Sequence, residues 1–381
     1  MQIHVVKQGD SLYSIGKMYG VNYEKIAREN EIGLEQTLVI GQTIVITGVG
    51  AKPKVGVVEV NGYAFANISD EVLAKTLPHL TYLSIFSYEA KADGEVTPII
   101  VPRSEERIIE KAIAARVMSV LVVTNIGVSG NFEPTLAHTI LNSPTAVDTL
   151  IDNLLGAMKT KKYAGLDVDF EFVIPEDRLA YTAFLARCAE KMHENGFFLT
   201  CAVPAKDADN PKDTFTGAYD YAAIGEIVDA VTLMTYEWGY ATGQPMAVAP
   251  IGNVERVVEF AATQMPSVKI MVGVPNYGYD WPTPVTPSTP GKAIGNVQAV
   301  ELARLHTQAI GFDETAQTPN FEYWNNSGKR HEVWFEDARS AHVKLSLAAK
   351  HNLAGFSYWT VNRFWPQNWL VMDAMYDVAK G

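Results

Sequence analysis

Eight short apolar runs recur between residues 55 and 361, and stretches with helical periodicity separate them. The runs are VGVVEV (55–60), YLSIFSY (82–88), SVLVVTNI (119–126), AGLDVDFEF (164–172), FFLTCAV (197–203), AVTLMTY (230–236), KIMVGVPNY (269–277) and AGFSYWTV (354–361). Between them lie SDEVLAKTLPHL, SEERIIEKAIAARV, SPTAVDTLIDNLLGAMKT and RLAYTAFLARCAEKMHENG, each apolar on one helical face. Strands alternating with helices make βαβ units and a parallel sheet. Eight such units predict an α/β fold, a closed (β/α)8 TIM barrel. An open doubly wound sheet has no support, because no GxGxxG follows the first run and no GxxxxGK[ST] occurs.

The interval from 277 to 354 is too long for a bare loop. It holds WPTPVTPSTPG, a helical NVQAVELARLHTQAIG, the strand-like NFEYWNN and HEVWFED, and the helix ARSAHVKLSLAAKHN. This predicts a small β-rich insertion before strand 8, at about 280–337, on the catalytic rim. The expected organisation is a small module at 1–47, a Gly/Pro/Lys linker at 48–54 and the barrel at 55–381.

The first 47 residues read strand, helix, helix, strand. QIHVV is an apolar run, and Asp10 or Ser11 fits as N-cap of the helix LYSIGKMYG, whose Leu12, Ile15 and Tyr19 share a face. Asn22 caps YEKIARENE, and TIVI (43–46) is a β-branched strand.

Charge narrows the function classes. Asp plus Glu is 43 against 31 Lys plus Arg, a net charge of −12. Nucleic-acid binding needs phosphate neutralisation, and anionic membranes attract basic segments, so neither partner is expected. The N-terminus MQIHVVKQGD shows no secretory leader. Cys188 and Cys201 read as two small buried side chains, with one disulfide open if the compartment is oxidising. Neither HExxH nor GxSxG is present, which removes metalloprotease and serine hydrolase readings.

The fourth run carries the chemistry. Side chains alternate along a strand, so Asp167, Asp169 and Glu171 share one face, about 6.6 Å apart per step, while Leu166, Val168 and Phe170 share the other. In a barrel the apolar face packs on the helices and the acids point inward. Like charges this close raise at least one pKa. A protonated carboxyl at the C-terminal end of a barrel strand can serve as a general acid.

GLDVDFE resembles the DGxDxDxE signature of glycoside hydrolase family 18, with Ala164 where the family usually has its first Asp. Met234-Thr235-Tyr236-Glu237 resembles the sixth-strand MxYD, with Glu replacing Asp. Gly273–Gly278 (GVPNYG) resembles the seventh-strand GxPxYG, and GFSYW (355–359) the eighth strand. HVVKQGDSLYSIGKMYGV, Asn30 and LVIGQTIVI resemble a LysM domain.

The resemblances imply a retaining, substrate-assisted glycosidase acting at N-acetylglucosamine, with neither metal nor cofactor. Glu171 would protonate the glycosidic oxygen while the substrate's 2-acetamido oxygen attacks the anomeric carbon. Asp169 would hold the acetamido N–H, and Asp167 would share a proton with Asp169. Tyr236 would bond the acetamido carbonyl, and Trp359 would floor the sugar. Met234, Glu237, Asn276 and Tyr277 would line the substrate site, with Tyr88, Asn125 and Trp281 as weaker candidates.

For the LysM module the resemblance implies glycan contacts through Gly9, Asp10, Ser11 and Leu12, and through Asn30, Glu31 and Ile32. The layout of LysM plus barrel, Phe170 in place of Trp, and the segments HEVWFEDARS and GFSYWTVN resemble the bacterial spore cortex-lytic group. That group implies peptidoglycan as substrate and a spore-associated location without a leader. A chitinase is the alternative within the enzyme class. A lectin on an inactive barrel and a structural coat protein are the alternatives outside it; such lectins lack the catalytic Glu, and Glu171 is present.

Overall fold

In the computed structural model, residues 1–50, 53–98 and 104–381 are described; residues 51–52 of the expected linker lie outside them. All eight apolar runs are strands of one closed parallel barrel. The strands are Gly56–Phe65, Tyr82–Ala90, Met118–Thr124, Gly165–Asp169, Phe198–Pro204, Ala230–Met234, Ile270–Pro275 and Gly355–Trp359. Each pairs in parallel with the next. The eighth returns to the first in the register Trp359↔Tyr63, and the first pairs with the second, which closes the ring.

Local signals explain how the carboxylate strand is delivered. Ser143 caps the helix Pro144–Lys161 by accepting the Ala146 N–H, with Pro144 in the first turn. Val147, Leu150, Ile151, Leu154 and Met158 form its buried stripe. Lys162 ends the helix in the left-handed conformation at φ 65°, and the chain enters the fourth barrel strand at Gly165. Leu166, Val168 and Phe170 then join the large apolar core between barrel and helices. The opposite face looks inward. Asn61, Ser84 and Ser357 form a hydrogen-bonded peg inside the barrel, at 2.9 and 3.0 Å. Tyr63, Phe86 and Val122 pack together inside it, with Trp359 against them.

Between the seventh and eighth barrel strands stands a five-stranded antiparallel sheet. Its strands are Gly278–Pro282, Lys292–Ile294, Gly311–Asp313, Thr318–Trp324 and Arg330–Trp334. It is anchored at its exit by a fully buried ion pair. Lys344, on the helix Ala338–His351, bonds both oxygens of Glu336 at 3.1 and 2.8 Å. Burial still pushes the Glu336 carboxyl above its usual range, despite Lys344.

The N-terminal module has strands Gln2–Val5 and Thr43–Ile46, paired antiparallel, around helices Leu12–Tyr19 and Tyr23–Glu29. It does not hang free on its linker. Val45 belongs to the barrel's apolar core, and Val39 packs with Ile294, Ile310 and Phe335 of the insertion. Gly41, at φ 87°, lets the chains approach closely: a Cβ there would lie 1.9 Å from the Ile310 carbonyl oxygen. The Ile310 N–H bonds the Ile40 carbonyl at 2.8 Å, and Lys75 pairs with Glu31 at 2.7 Å.

Lys344→Met strands Glu336 in the core without its cation. A loss of about 3–5 kcal/mol is expected, read as a lower urea midpoint at unchanged slope. A loss below about 1 kcal/mol would contradict the anchoring role.

Candidate active site

A cavity of about 920 Å³ opens at the C-terminal end of the barrel. Asp169, Glu171, Tyr236, Glu237, Tyr277 and Trp359 line it, as do Met234 and Asn276. The structure thus brings the predicted catalytic and substrate residues to one cleft, with Asp167 just beneath.

The strand ends at Asp169, so Glu171 lies two residues past it rather than within it. Asn125 sets its position. The Asn125 amide donates to the Glu171 carbonyl at 2.9 Å and accepts the Glu171 N–H at 2.8 Å. Asn125 is therefore a buried backbone clamp rather than a residue of the cleft wall. Asp167 is fully occupied: Tyr63 Oη donates to one carboxylate oxygen at 2.7 Å and Thr200 Oγ1 to the other at 2.6 Å. Asp169 is buried, and its Oδ1 has no hydrogen-bond partner.

The electrostatics follow from burial first and charge second. Desolvation raises the Glu171 carboxyl to about 7, with Glu237 adding to it. Asp169 is raised well above the ordinary carboxylate range by desolvation, then by Glu171 and Asp167. Asp167 is raised by burial against the opposing pull of its bonds to Thr200 and Tyr63. Like-charge repulsion was the expected main cause; loss of water is the larger one. At neutral pH, Glu171 is available as a proton donor, as an acid catalyst requires.

Glu237 stands at the cleft mouth in the left-handed region, φ 67°. Tyr277 Oη bonds it, and Tyr279 Oη lies 3.1 Å from both oxygens. Trp359 is held edge-on by Tyr63, Phe65 and Phe86, with centroids 5.1–5.6 Å apart. Its remaining face lines the cleft. Asn276 lines the cleft and has a second task. Its amide donates to the carbonyls of Thr360 and Arg363, both at 2.7 Å, and so ties down the loop after the eighth strand.

Two weaker candidates are corrected. Trp281 is fully buried under the insertion, its indole N–H on the Tyr240 carbonyl at 3.1 Å, because it sits on an inward-facing position of the inserted sheet. Tyr88 is buried with its hydroxyl on Glu105 at 2.8 Å, away from the cleft. Sequence reasoning missed Tyr63, Thr200 and Tyr279. Strand alternation would have found Tyr63, since it shares a face with Asn61 and Phe65.

In the N-terminal module, Ser11 caps its helix with a reciprocal bond to Ser14, and Asp10 accepts from the Lys7 N–H at 2.7 Å and bonds His4 at 3.0 Å. Leu12 and Ile32 are buried in the module core. Asn30 is buried too, its amide bonding both N–H and carbonyl of Val45 at 2.8 Å. These three side chains are turned from solvent, while Gly9, Ser11 and Glu31 are exposed, with the Glu31 carboxylate on Lys75 of the barrel. Cys188 and Cys201 are both buried and unpaired.

A (β/α)8 barrel with buried carboxylates at the end of its fourth strand, a tyrosine and a tryptophan floor is the frame of a glycosidase acting on amino-sugar polymers. The family profile described as glycosyl hydrolases family 18 matches residues 60–363, and the LysM domain profile matches residues 4–47. The chain belongs to glycosyl hydrolase family 18 and carries a LysM domain. It is similar to the cortical fragment-lytic enzyme of Bacillus cereus, 38% identical over 434 aligned positions that span 100% of this chain and 99% of that protein. The cortical fragment-lytic enzyme of Bacillus subtilis (strain 168) is 36% identical, with the same coverage. The crystal structure of the Bacillus cereus spore cortex-lytic enzyme SleL superposes with a TM-score of 0.92 at 34% identity, covering 100% of this chain and 99% of that one.

The Glu171 proton sets the alkaline side of activity. Its carboxyl is protonated below about 7, so kcat/KM is expected to fall about tenfold per unit above that pH. Glu237→Gln removes a neighbouring negative charge and should move this limb to lower pH. A limb unmoved in that variant would contradict the coupling between the two.

Proposed function

We propose that this glycosidase cleaves the β-1,4 bond at N-acetylglucosamine in spore cortex peptidoglycan by a retaining, substrate-assisted route. The observation that carries the reading is the pairing of a proton-holding Glu171 with a buried Asp169 acceptor that has no partner. An unpaired buried acceptor costs about 1–3 kcal/mol. A substrate acetamido N–H would satisfy it and turn the acetamido oxygen toward the anomeric carbon.

Glu171 protonates the glycosidic oxygen as the acetamido oxygen forms the new bond to carbon. An oxazolinium ion results, and its positive charge is offset by Asp169. Tyr236, in the same cleft, orients the acetamido carbonyl. Water then attacks with Glu171 as base, which restores the acid. Asp167 acts through Asp169 by keeping negative charge beneath it, while Tyr63 and Thr200 hold Asp167 in place.

The glycan itself is the partner. The net charge of −12 disfavours nucleic acid and anionic membranes. The LysM module holds the polymer, and the protein is spore-associated, as the names of its relatives suggest for them. Because the module packs on the barrel and the insertion, it presents the polymer at a fixed angle to the cleft.

Glu171→Gln should abolish turnover while leaving glycan binding intact. Mass spectrometry of products from cortical fragments and, separately, from chitooligosaccharides reads this directly. New reducing-end N-acetylglucosamine from cortex fragments only supports the reading, and release from chitooligosaccharides only replaces it with a chitinase. Full activity in the variant would overturn the acid assignment.

Asp169→Asn should cost on the order of 10²–10³ in kcat while raising Tm by a few degrees at neutral pH. The native Asp169 keeps its proton to higher pH than the unfolded chain does, so its burial costs stability as pH rises through the native value. The Tm gain should therefore shrink in acid. A loss of activity below about threefold would count against substrate assistance.

A further inference from the structure

A second cavity, of about 50 Å³, lies where the N-terminal module, the insertion and the loop after the eighth barrel strand meet. No residue lines both it and the catalytic cleft. The inserted helix Asn296–Leu305 starts at this cavity, which puts an electropositive helix end beside it. Two buried donors there have no acceptor. Asn296 is 3% exposed; its Oδ1 accepts the Glu336 N–H at 2.9 Å, but its Nδ2 is without a partner. The buried Trp365 indole N–H also has no acceptor among the described residues. Buried amide and indole donors ordinarily find one. The carboxylates that line the cavity are engaged elsewhere: Glu336 by Lys344, Asp337 by Arg339, Glu301 by Arg304 and Gln36, and Glu31 by Lys75. What the cavity lacks is an acceptor, and the acids around it disfavour an anionic one. Ile32, Val300 and Ile310 give it apolar walls, and its volume exceeds what a single water needs. Glu31, in the left-handed region at φ 53°, also lines an open groove of about 220 Å³ along the same seam, with Phe364 and Leu370 on the barrel side.

We infer that this seam is a second glycan site, remote from the cleft: the cavity takes the N-acetyl group of an amino sugar, and the adjoining groove takes the sugar ring that bears it. The inference rests on the glycan reading above and goes beyond it, because the donors come from the inserted helix and the loop after the eighth strand rather than from the LysM module. An amide carbonyl has two lone pairs, so one oxygen can receive both the Asn296 Nδ2 and the Trp365 indole N–H. The acetyl methyl then rests on the apolar walls. The group is neutral, as the surrounding acids require. A glycan held here touches module and barrel at once, so its binding fastens the module to the barrel while the cleft works on another part of the polymer.

The test uses the full chain with Glu171→Gln, so that no ligand is turned over, and ¹⁵N-labelled tryptophan. The Trp365 indole signal is assigned by its loss in Trp365→Phe, and the Trp359 indole reports the cleft in the same spectrum. Chitotetraose and cortical peptidoglycan fragments are titrated in turn, with cellotetraose as the control that has no acetamido group. The Trp365 N–H should move downfield with the N-acetylated ligands and stay unmoved with cellotetraose. A shift at Trp359 with Trp365 unmoved overturns the seam site and leaves the glycan reading standing. No shift at either signal with any N-acetylated ligand defeats the glycan reading and the inference with it. Retention on insoluble chitin is the second measurement. Asn296→Asp keeps the acceptor for the Glu336 N–H but removes the free donor, and Trp365→Phe keeps the ring but removes the N–H. Each should weaken retention about fivefold, with an unchanged urea midpoint in Trp365→Phe and, with Glu171 restored, unchanged kcat/KM on short soluble fragments. Wild-type retention in both variants overturns the inference, as does an equal loss on short soluble fragments.

Discussion

Water is kept from three carboxylates at the end of one barrel strand, and much of the molecule is arranged around that. Desolvation moves Asp167, Asp169 and Glu171 upward, and the charges of Glu171 and Asp167 add to it at Asp169. Only Asp167 receives full hydrogen-bond compensation, from Tyr63 and Thr200 on two other strands. Asp169 is left short of a partner, which is a cost that the large core between barrel and helices has to carry. In the proposed mechanism that open oxygen is the acceptor offered to a substrate N–H, while burial of Glu171 itself holds its proton near neutrality.

Precision in the cleft comes from buried amides more than from charged contacts. Asn125 clamps both backbone groups of Glu171, and Asn276 clamps the loop that follows Trp359. Tyr277 and Tyr279 hold Glu237 in the same manner at the mouth. Each clamp joins chain segments that are far apart in sequence, so the barrel strands have to be in register before the site exists. The insertion and the LysM module are fastened to the same frame, the first through Lys344–Glu336 and the second through Val39, Gly41 and Val45.

Periodicity made the barrel legible, and capping the N-terminal module. Eight apolar runs became eight strands, and Ser11 and Asn22, read as caps, do cap the two helices of the N-terminal module. Alternation also placed Asp167 and Asp169 inward, since a period of two depends only on neighbours. The contacts across the barrel were not legible. Tyr63 and Thr200 reach Asp167 from 104 and 33 residues away, and no local pattern reports a bond of that kind. Trp281 and Tyr88 were misjudged because an aromatic at a strand end reads the same whether it meets a cleft or a core. Asn30 was legible as important, but its work is to lock Val45 inside the module. The docking of that module was hidden too, because it depends on Gly41 meeting a loop of the insertion.

The central claim is that the substrate's own acetamido group is the nucleophile while Glu171 supplies the proton. Proton NMR of the first product released from cortical peptidoglycan fragments, recorded before mutarotation, tests it most directly. The account predicts a β-configured N-acetylglucosamine at the new reducing end, as retention requires. An α-configured sugar, or muramic acid at the new reducing end, would contradict it.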